Sequence, residues 1–155
     1  MNEFLYSVDR EYPVSIETLW NAWTDSSILE KWYFPTMLAG VPGTFKSDAH
    51  VGGQWTAGID VSANGFNAYF WGTYTEVEPL RHLAHTLSYS QDENEFRMAS
   101  PDAPAHLIHL DFESRGTSSW VKFTQFGQMP AEQIEATRMG MSSYFDSLEN
   151  YLASA

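Results

Sequence analysis

The sequence predicts an α+β protein in which a mostly antiparallel sheet packs against one long C-terminal helix. From residue 38 to residue 125 apolar and polar residues mostly alternate, which is the period of a strand with one buried face. From Ala131 to Leu152 the apolar residues recur instead at the spacing of one helical face. Because strands followed by a helix favour segregated layers, we expect this helix to cover the concave side of the sheet.

The composition describes an acidic, aromatic chain of 155 residues with a formal charge of −12 and no cysteine. A charge of that sign repels phosphate backbones and anionic lipid headgroups, so no nucleic acid or membrane partner is expected. The lack of cysteine excludes a disulfide framework and a thiol nucleophile. We expect one domain, residues 1–155, located in the cytoplasm, because the sequence shows neither a membrane-spanning run nor a signal peptide.

The N-terminal third is predicted to contain one strand and two short helices. Apolar side chains alternate from Phe4 to Val8, which indicates a half-buried strand that ends before Pro13. Ser15 and Asp25 are suitable N-cap residues for two helices in tandem. Neither helix is long enough to be stable alone, so their tryptophans are expected to pack against a larger element.

Six further strands are predicted between the short helices and the long one. The dipeptide Asn64-Gly65 is a strong hairpin signal, since both residues readily adopt positive φ. The strand that follows it carries bulky apolar groups on both faces and is expected to be central in the sheet or covered on both sides. The predicted strands cover residues 44–46, 54–61, 66–77, 81–87, 107–113 and 120–126.

The segment Ser88–Pro104 is polar and acidic and shows no clear period. A loop of that length is unusual in a compact domain. We therefore expect a mobile loop or a lid, or in part a weak edge strand.

Two residues interrupt the apolar face of the C-terminal helix. Arg138 stands where the pattern requires a hydrophobic residue. Its guanidinium is expected either to pair with Glu135, three residues earlier, or to face a cavity and hold a carboxylate or oxyanion. Gly140 in mid-helix costs about 1 kcal/mol relative to alanine, which suggests close backbone packing at that point.

The histidines do not form a metal motif. His82 and His85 are three residues apart on a predicted strand, which directs them to opposite faces, and His106 and His109 share that spacing. No metal and no cofactor are therefore predicted, since phosphate loops, dinucleotide fingerprints and serine elbows are also lacking. General acid–base chemistry by His85 or a tyrosine stays open.

Several segments resemble the family named for activators of the Hsp90 ATPase. The similarity lies in residues 13–25 and 29–33, in the acidic, glycine-pair and aromatic segment 48–55, in the segment 72–83, and in the final helix. The resemblance implies the helix-grip fold (START-like, Bet v 1-like) of the SRPBCC superfamily, in which a curved antiparallel sheet wraps around the C-terminal helix and encloses a ligand cavity. Relatives often carry tryptophan at the position of Met141, so this chain is expected to have a roomier cavity wall.

The implied cavity lies between the helix and the sheet, and we expect its lining to bind a small apolar or aromatic molecule. Large aromatic rings would supply contact area, and a few polar atoms, those of Arg138 or His85 in particular, would orient the ligand. The candidate ligand-binding residues are Trp55, Tyr69, Trp71, Tyr74, His85, Trp120, Arg138, Met141 and Phe145.

Two other functions are compatible with the resemblance. The superfamily that the resemblance implies includes polyketide cyclases and aromatases, so one alternative is an enzyme that acts on a polyketide-like or aromatic compound with acid–base groups in the same cavity. The chain also resembles chaperone activators, which implies an Hsp90-type partner. The resemblance also implies that eukaryotic activators carry an additional N-terminal chaperone-binding domain, and we expect none here because the sequence starts at its first predicted strand.

Overall fold

The computed structural model describes residues 3–155 and contains four α-helices and eight β-strands in that part of the chain. No helix within residues 3–155 is long and apolar enough to cross a membrane. The elements are β1 (Glu3–Tyr12), α1 (Ile16–Thr24), α2 (Ser26–Trp32), β2 (Ala39–Gly40), β3 (Lys46–Ser47), β4 (Gln54–Val61), β5 (Phe66–Glu78), β6 (His82–Ser90), α3 (Glu93–Met98), β7 (His106–Arg115), β8 (Ser118–Gly127) and α4 (Ala131–Ser154).

The strands form one antiparallel sheet that curls around α4. Its order is β1-β8-β7-β6-β5-β4-β2, and β3 pairs with β4 beside β2. Hairpins connect the strands from β4 to β8, with α3 inserted between β6 and β7, and β1 adds to the last strand. The predicted α+β helix-grip architecture is confirmed.

The two short helices begin at the predicted caps. The Ser15 hydroxyl accepts a hydrogen bond from the Thr18 N–H at 3.2 Å, and the Asp25 carboxylate accepts the Ser27 N–H at 2.9 Å. Both helices bury tryptophan against the sheet and α4: the rings of Trp23 and Trp32 meet edge to face, 4.7 Å apart. The apolar side chains of α1 and α2 fill one end of the space beneath α4.

A bulge in β1 changes the face that its first residues present. The pairing with β8 shifts register between Phe4 and Tyr6, so Leu5 has no direct partner. Tyr6 and Val8 point into the core, whereas Phe4 is 62% exposed and packs on Phe126 at the outer face. The prediction that Phe4 and Val8 share one buried face was therefore wrong.

The convex face of the sheet is covered by α3, which lies in the segment predicted to be a loop, a lid or an edge strand. Residues 88–90 complete the central strand β6, and α3 then packs its Phe96 against Tyr69 of β5, with ring centroids 4.8 Å apart. The Trp71 indole donates a hydrogen bond to the Ser100 carbonyl at 3.2 Å. The expectation for 88–104 was wrong, but the prediction that β5 is central or covered on both faces is confirmed.

The long helix α4 is attached to the rest of the molecule mainly through its second half. Phe145 and Leu148 are fully buried, and the Tyr12 hydroxyl donates to the Phe145 carbonyl at 2.8 Å. The Arg10 guanidinium binds the Asp146 carboxylate at 2.7 Å. The first half of α4 buries no side chain before Met141 and spans the open end of the curled sheet. That end holds the candidate site.

Candidate ligand-binding cavity

A cavity of about 810 Å³ lies between the first half of α4 and the strands beneath it. A cavity of this size is in the range that encloses a drug-sized molecule. The buried part of the lining consists of Tyr6, Tyr33, Gln125, Gly127 and Met141, and the helix adds Thr137, Gly140 and Tyr144. Phe70, Leu87, Tyr89, Pro104, Ala105, His106, Gln128 and Met129 complete the walls and the mouth, where Tyr89 is 51% exposed.

The lining carries no formally charged side chain. None of the sixteen residues is Asp, Glu, Lys or Arg, and His106 is the one imidazole among them. Aromatic rings and aliphatic groups supply most of the surface, whereas amide and hydroxyl groups supply its polar atoms. Such a site suits an apolar molecule that carries a small number of polar groups.

Three tyrosines meet in the cavity and stay protonated. Burial raises the pKa of the Tyr6, Tyr33 and Tyr144 phenols well above the ordinary value, and charge on Tyr144 would raise the pKa of the other two further. The Tyr33 and Tyr144 rings meet edge to face with centroids 4.9 Å apart. The three hydroxyls are therefore neutral hydrogen-bonding groups at physiological pH.

A chain of hydrogen bonds runs from Tyr6 along the cavity floor. The Tyr6 hydroxyl lies 2.6 Å from Gln125 Oε1, and Gln125 Nε2 lies 2.7 Å from His106 Nδ1. The other ring nitrogen, His106 Nε2, lies 3.2 Å from the carbonyl oxygen of Gln128. We call this chain, Tyr6–Gln125–His106–Gln128, the polar relay.

The direction of every bond in the polar relay follows from its last member. The Gln128 carbonyl can only accept and Gln125 Nε2 can only donate, so His106 Nε2 carries a proton and His106 Nδ1 accepts from the Gln125 amide. The Gln125 carbonyl oxygen then accepts from the Tyr6 hydroxyl. The hydroxyl hydrogen of Tyr6 is therefore engaged in this bond, and the Tyr6 oxygen can still accept a hydrogen bond.

Gly127 makes room for the imidazole of the relay. A Cβ at this position would lie 2.4 Å from Cδ2 of His106, which is closer than any van der Waals contact permits. The ring can therefore lie across the strand only because Gly127 has no side chain.

Replacing Gly127 with alanine should displace His106 and break the relay. We expect a loss of about 1–3 kcal/mol of stability, as is usual for an overpacked site, and loss of the Nε2–H tautomer. Nitrogen chemical shifts of the His106 ring measure the tautomer directly. Gly140→Ala is the control, because it adds a methyl group to the same cavity without touching the ring. An unchanged His106 spectrum in Gly127→Ala would contradict the assignment.

Gly140 faces the cavity rather than a neighbouring backbone. A Cβ built on it meets no atom within 4 Å outside its own helix. The expectation of close backbone packing at Gly140 was wrong, and the missing side chain instead leaves space beneath the helix.

Comparison with known families places the chain. The sequence profile of the family described as activator of Hsp90 ATPase homolog 1-like protein matches residues 13–153. The chain belongs to this family. Among curated proteins no relative matches.

Solved structures share the fold of this Hsp90-activator-like chain. The AHSA1 protein from Silicibacter pomeroyi has a TM-score of 0.78 at 19% identity and covers 96% of both chains. A protein from Staphylococcus epidermidis has a TM-score of 0.76 at 20% identity, covering 96% of this chain and 88% of its own. A protein from Chromobacterium violaceum has a TM-score of 0.74 at 20% identity over 94% of both chains. At these identities the likeness concerns the fold alone.

The structure divides the nine predicted site residues of the Hsp90-activator-like chain into three groups. Met141 lines the cavity and occupies the wall where the family resemblance predicts extra room. Phe145, one turn later, is fully buried among the rings of the short helices. The other seven are placed elsewhere by strand alternation, by packing or by an ion pair.

Trp55, Tyr74 and His85 lie on the concave face but form a packed cluster outside the cavity lining. The indole of Trp55 stacks on His85 with centroids 4.4 Å apart, and the Tyr74 hydroxyl lies 2.6 Å from Ser47 Oγ. Burial lowers the pKa of His85 to about 4, partly offset by its hydrogen bond to the Thr86 carbonyl. Burial also raises the pKa of Tyr74 to about 12. His85 is therefore a neutral core residue in this position.

Tyr69, Trp71 and Trp120 lie on the convex face of the sheet, so the expectation that they face α4 needs correction. Tyr69 and Trp71 lie under α3, as described above. The Trp120 indole donates to the Asp9 carboxylate at 2.9 Å and carries the Arg115 guanidinium 4.8 Å above its ring. Each of the three alternates with an inward neighbour along its strand.

Arg138 adopts the first of its two predicted arrangements. Its Nε donates to the Glu135 carboxylate at 2.9 Å, and the residue is absent from the cavity lining. These hydrogen bonds lower the pKa of Glu135 below its ordinary range. The Arg138 guanidinium therefore does not face the cavity, because the side chain lies along the helix surface.

Sequence reasoning missed most of the polar residues of the site, although one signal was present. Gln125 continues the two-residue period of Val121 and Phe123, so a polar side chain interrupts a buried face. Tyr144 follows Met141 by three residues on the helix and shares its side.

Within residues 3–155 no group of three His, Cys, Asp or Glu residues is arranged to hold a metal ion.

Proposed function

We propose that this chain binds a small apolar or aromatic molecule in the cavity beneath α4. The observation that supports the proposal is the lining itself: an aromatic enclosure of about 810 Å³ with no formally charged side chain. Burying an aromatic ligand of two or three rings there removes apolar surface from water on both sides, at about 25 cal/mol per Å². The rings of Tyr144 and Phe70 offer contact area.

The position of the cavity supports the same function. Its floor belongs to five adjacent paired strands, β1, β8, β7, β6 and β5, and its roof is a helix that is fixed at its second half. Such a site is largely preformed, which lowers the entropy cost of binding. Its mouth, near Tyr89, is partly open to solvent.

Fluorescence of N-phenyl-1-naphthylamine tests the proposal, since this uncharged probe brightens and shifts to the blue in apolar surroundings. We expect saturable binding with a Kd on the order of 10 μM, because this affinity corresponds to an ordinary binding free energy per non-hydrogen atom for a ligand of that size. Met37→Ser is the control variant: this residue is 92% exposed and lies outside the cavity, so the change should leave binding intact. No fluorescence response at high protein concentration would refute the proposal. Independently, native mass spectrometry of the purified chain would identify a co-purifying molecule by its added mass.

The family's description favours a second candidate, a chaperone partner, because it names activation of the Hsp90 ATPase. A chain with a formal charge of −12 would complement a basic patch on such a partner. Calorimetric titration with an Hsp90-type chaperone at low salt should give measurable heat that declines as salt is added. Absence of heat under those conditions would exclude this candidate.

A further inference from the structure

The polar groups of the cavity indicate the chemical class of the ligand's polar end. We infer that the cavity selects an uncharged ligand with a hydroxyl group, which donates to Tyr6 and accepts from Tyr33 or Tyr144. A carboxylate of the same shape is disfavoured. This inference rests on the proposed function and adds the chemistry that the site recognises.

Tyr6 acts as the acceptor in this arrangement. The polar relay consumes the Tyr6 proton in the bond to Gln125, and its direction is set by the Gln128 carbonyl at the far end. A ligand group that meets the Tyr6 oxygen must therefore donate a hydrogen bond. Ethers and carboxylates cannot do so.

Tyr33 and Tyr144 supply the donors. In residues 3–155 the buried side-chain polar atoms that lack a partner are Trp23 Nε1 and Asn67 Oδ1, so neither tyrosine hydroxyl is sealed inside the protein. Both residues line the cavity, and both phenols stay protonated because of their burial. Their O–H groups can therefore donate to a ligand oxygen. A hydroxyl is the simplest group that both donates and accepts.

An anionic ligand would find no charge to balance it. The nearest cation along the helix wall, Arg138, is paired with Glu135 and lies outside the lining. The net charge of −12 also repels anions. A buried carboxylate without a cation loses its hydration, which costs several kcal/mol.

A cationic ligand is also poorly served. A cation bound by aromatic rings needs their open faces, but the ring of Tyr33 is surrounded by those of Trp23, Trp32, Trp55 and Tyr144 at 4.9–6.0 Å. The lining contains no carboxylate to pair with an ammonium group.

Displacement of bound N-phenyl-1-naphthylamine by a matched series at pH 7 tests the inference. The competitors are 2-naphthol, 2-methoxynaphthalene, 2-naphthoate and 2-naphthylmethylammonium, which share one ring system and differ in the polar group. We expect 2-naphthol to displace the probe about tenfold better than the ether and about a hundredfold better than either ion, since a lost hydrogen bond and a buried unpaired charge carry costs of those sizes. Equal or better displacement by the carboxylate or the ammonium would overturn the inference.

Two variants locate the recognition. Tyr6→Phe should reduce the preference for 2-naphthol over its methyl ether to about twofold or less, because it removes the acceptor. Tyr144→Phe removes the hydroxyl group of a partly buried lining residue and keeps its ring, so the protein should fold normally and its affinity for 2-naphthol should fall about fivefold. If both variants keep the full preference of the wild type, the inference falls. If the probe itself never binds, the proposed function falls first, so the two failures are distinct.

Discussion

Replacing Gly140 with tryptophan is expected to weaken binding of N-phenyl-1-naphthylamine at least about tenfold, a loss of about 1.4 kcal/mol, without weakening the fold. The reason is geometric, since Gly140 lines the cavity and a side chain built on it enters open space. The added indole would occupy the volume that the probe needs. Tryptophan has a higher helix propensity than glycine, so the helix itself should gain slightly.

Gly140→Ala is the matched control for the tryptophan variant. Its methyl group is too small to fill a cavity of about 810 Å³, so the Kd for the probe should stay unchanged. Its free energy of unfolding should rise by about 0.5–1 kcal/mol, since alanine removes the entropy cost of a mid-helix glycine. Fluorescence titration and urea denaturation measure the two quantities. Unaltered probe affinity in the tryptophan variant would show that binding occurs elsewhere.

Acidification should destabilise the protein through His85. Burial lowers the pKa of its folded state from 6.5 to about 4, so the unfolded chain binds the proton more readily between these values. The unfolded state is therefore favoured as pH falls, and the stability lost by pH 5 is about 2 kcal/mol from this residue. Above pH 6.5 the imidazole is neutral in both states and contributes no dependence on pH.

Urea denaturation of the wild type and of His85→Gln at pH 7 and pH 5 measures this contribution. Glutamine does not titrate. Between pH 7 and pH 5 the free energy of unfolding of the wild type should therefore fall by about 2 kcal/mol relative to that of His85→Gln. Comparing the pair removes the background from the other histidines and from the carboxylates. Parallel losses of stability in both proteins would show that His85 does not carry the dependence.

The elements that follow strict periodicity were predictable from sequence, because local pattern and burial agree in them. The apolar face of α4 and the caps at Ser15 and Asp25 are examples, and the structure has each at the predicted residues. The double burial of β5 was also foreseen from its bulky residues. The covering helix α3 was not predictable, since Phe96 is one apolar side chain in a polar segment.

The candidate site was harder to predict, because it depends on features that leave no local pattern. The bulge at Leu5 turns Tyr6 inward and Phe4 outward, and nothing in the alternation indicates it. The location of the cavity depends on which end of the curled sheet the short helices fill. Since Trp23 and Trp32 occupy the end near Phe145, the open space lies towards Gly140 and Tyr144 instead.

The uneven anchoring of α4 predicts that its first half opens more readily than its second. The fixed points at Phe145 and Asp146 leave the segment from Ala131 to Gly140 held by few buried contacts, and no side chain caps its start at Pro130. We expect local opening of these first turns to expose the cavity while the remaining core stays closed, at a lower free energy than global unfolding. Backbone amides of this segment should thus take up deuterium well before those that follow, and a guest should slow that uptake.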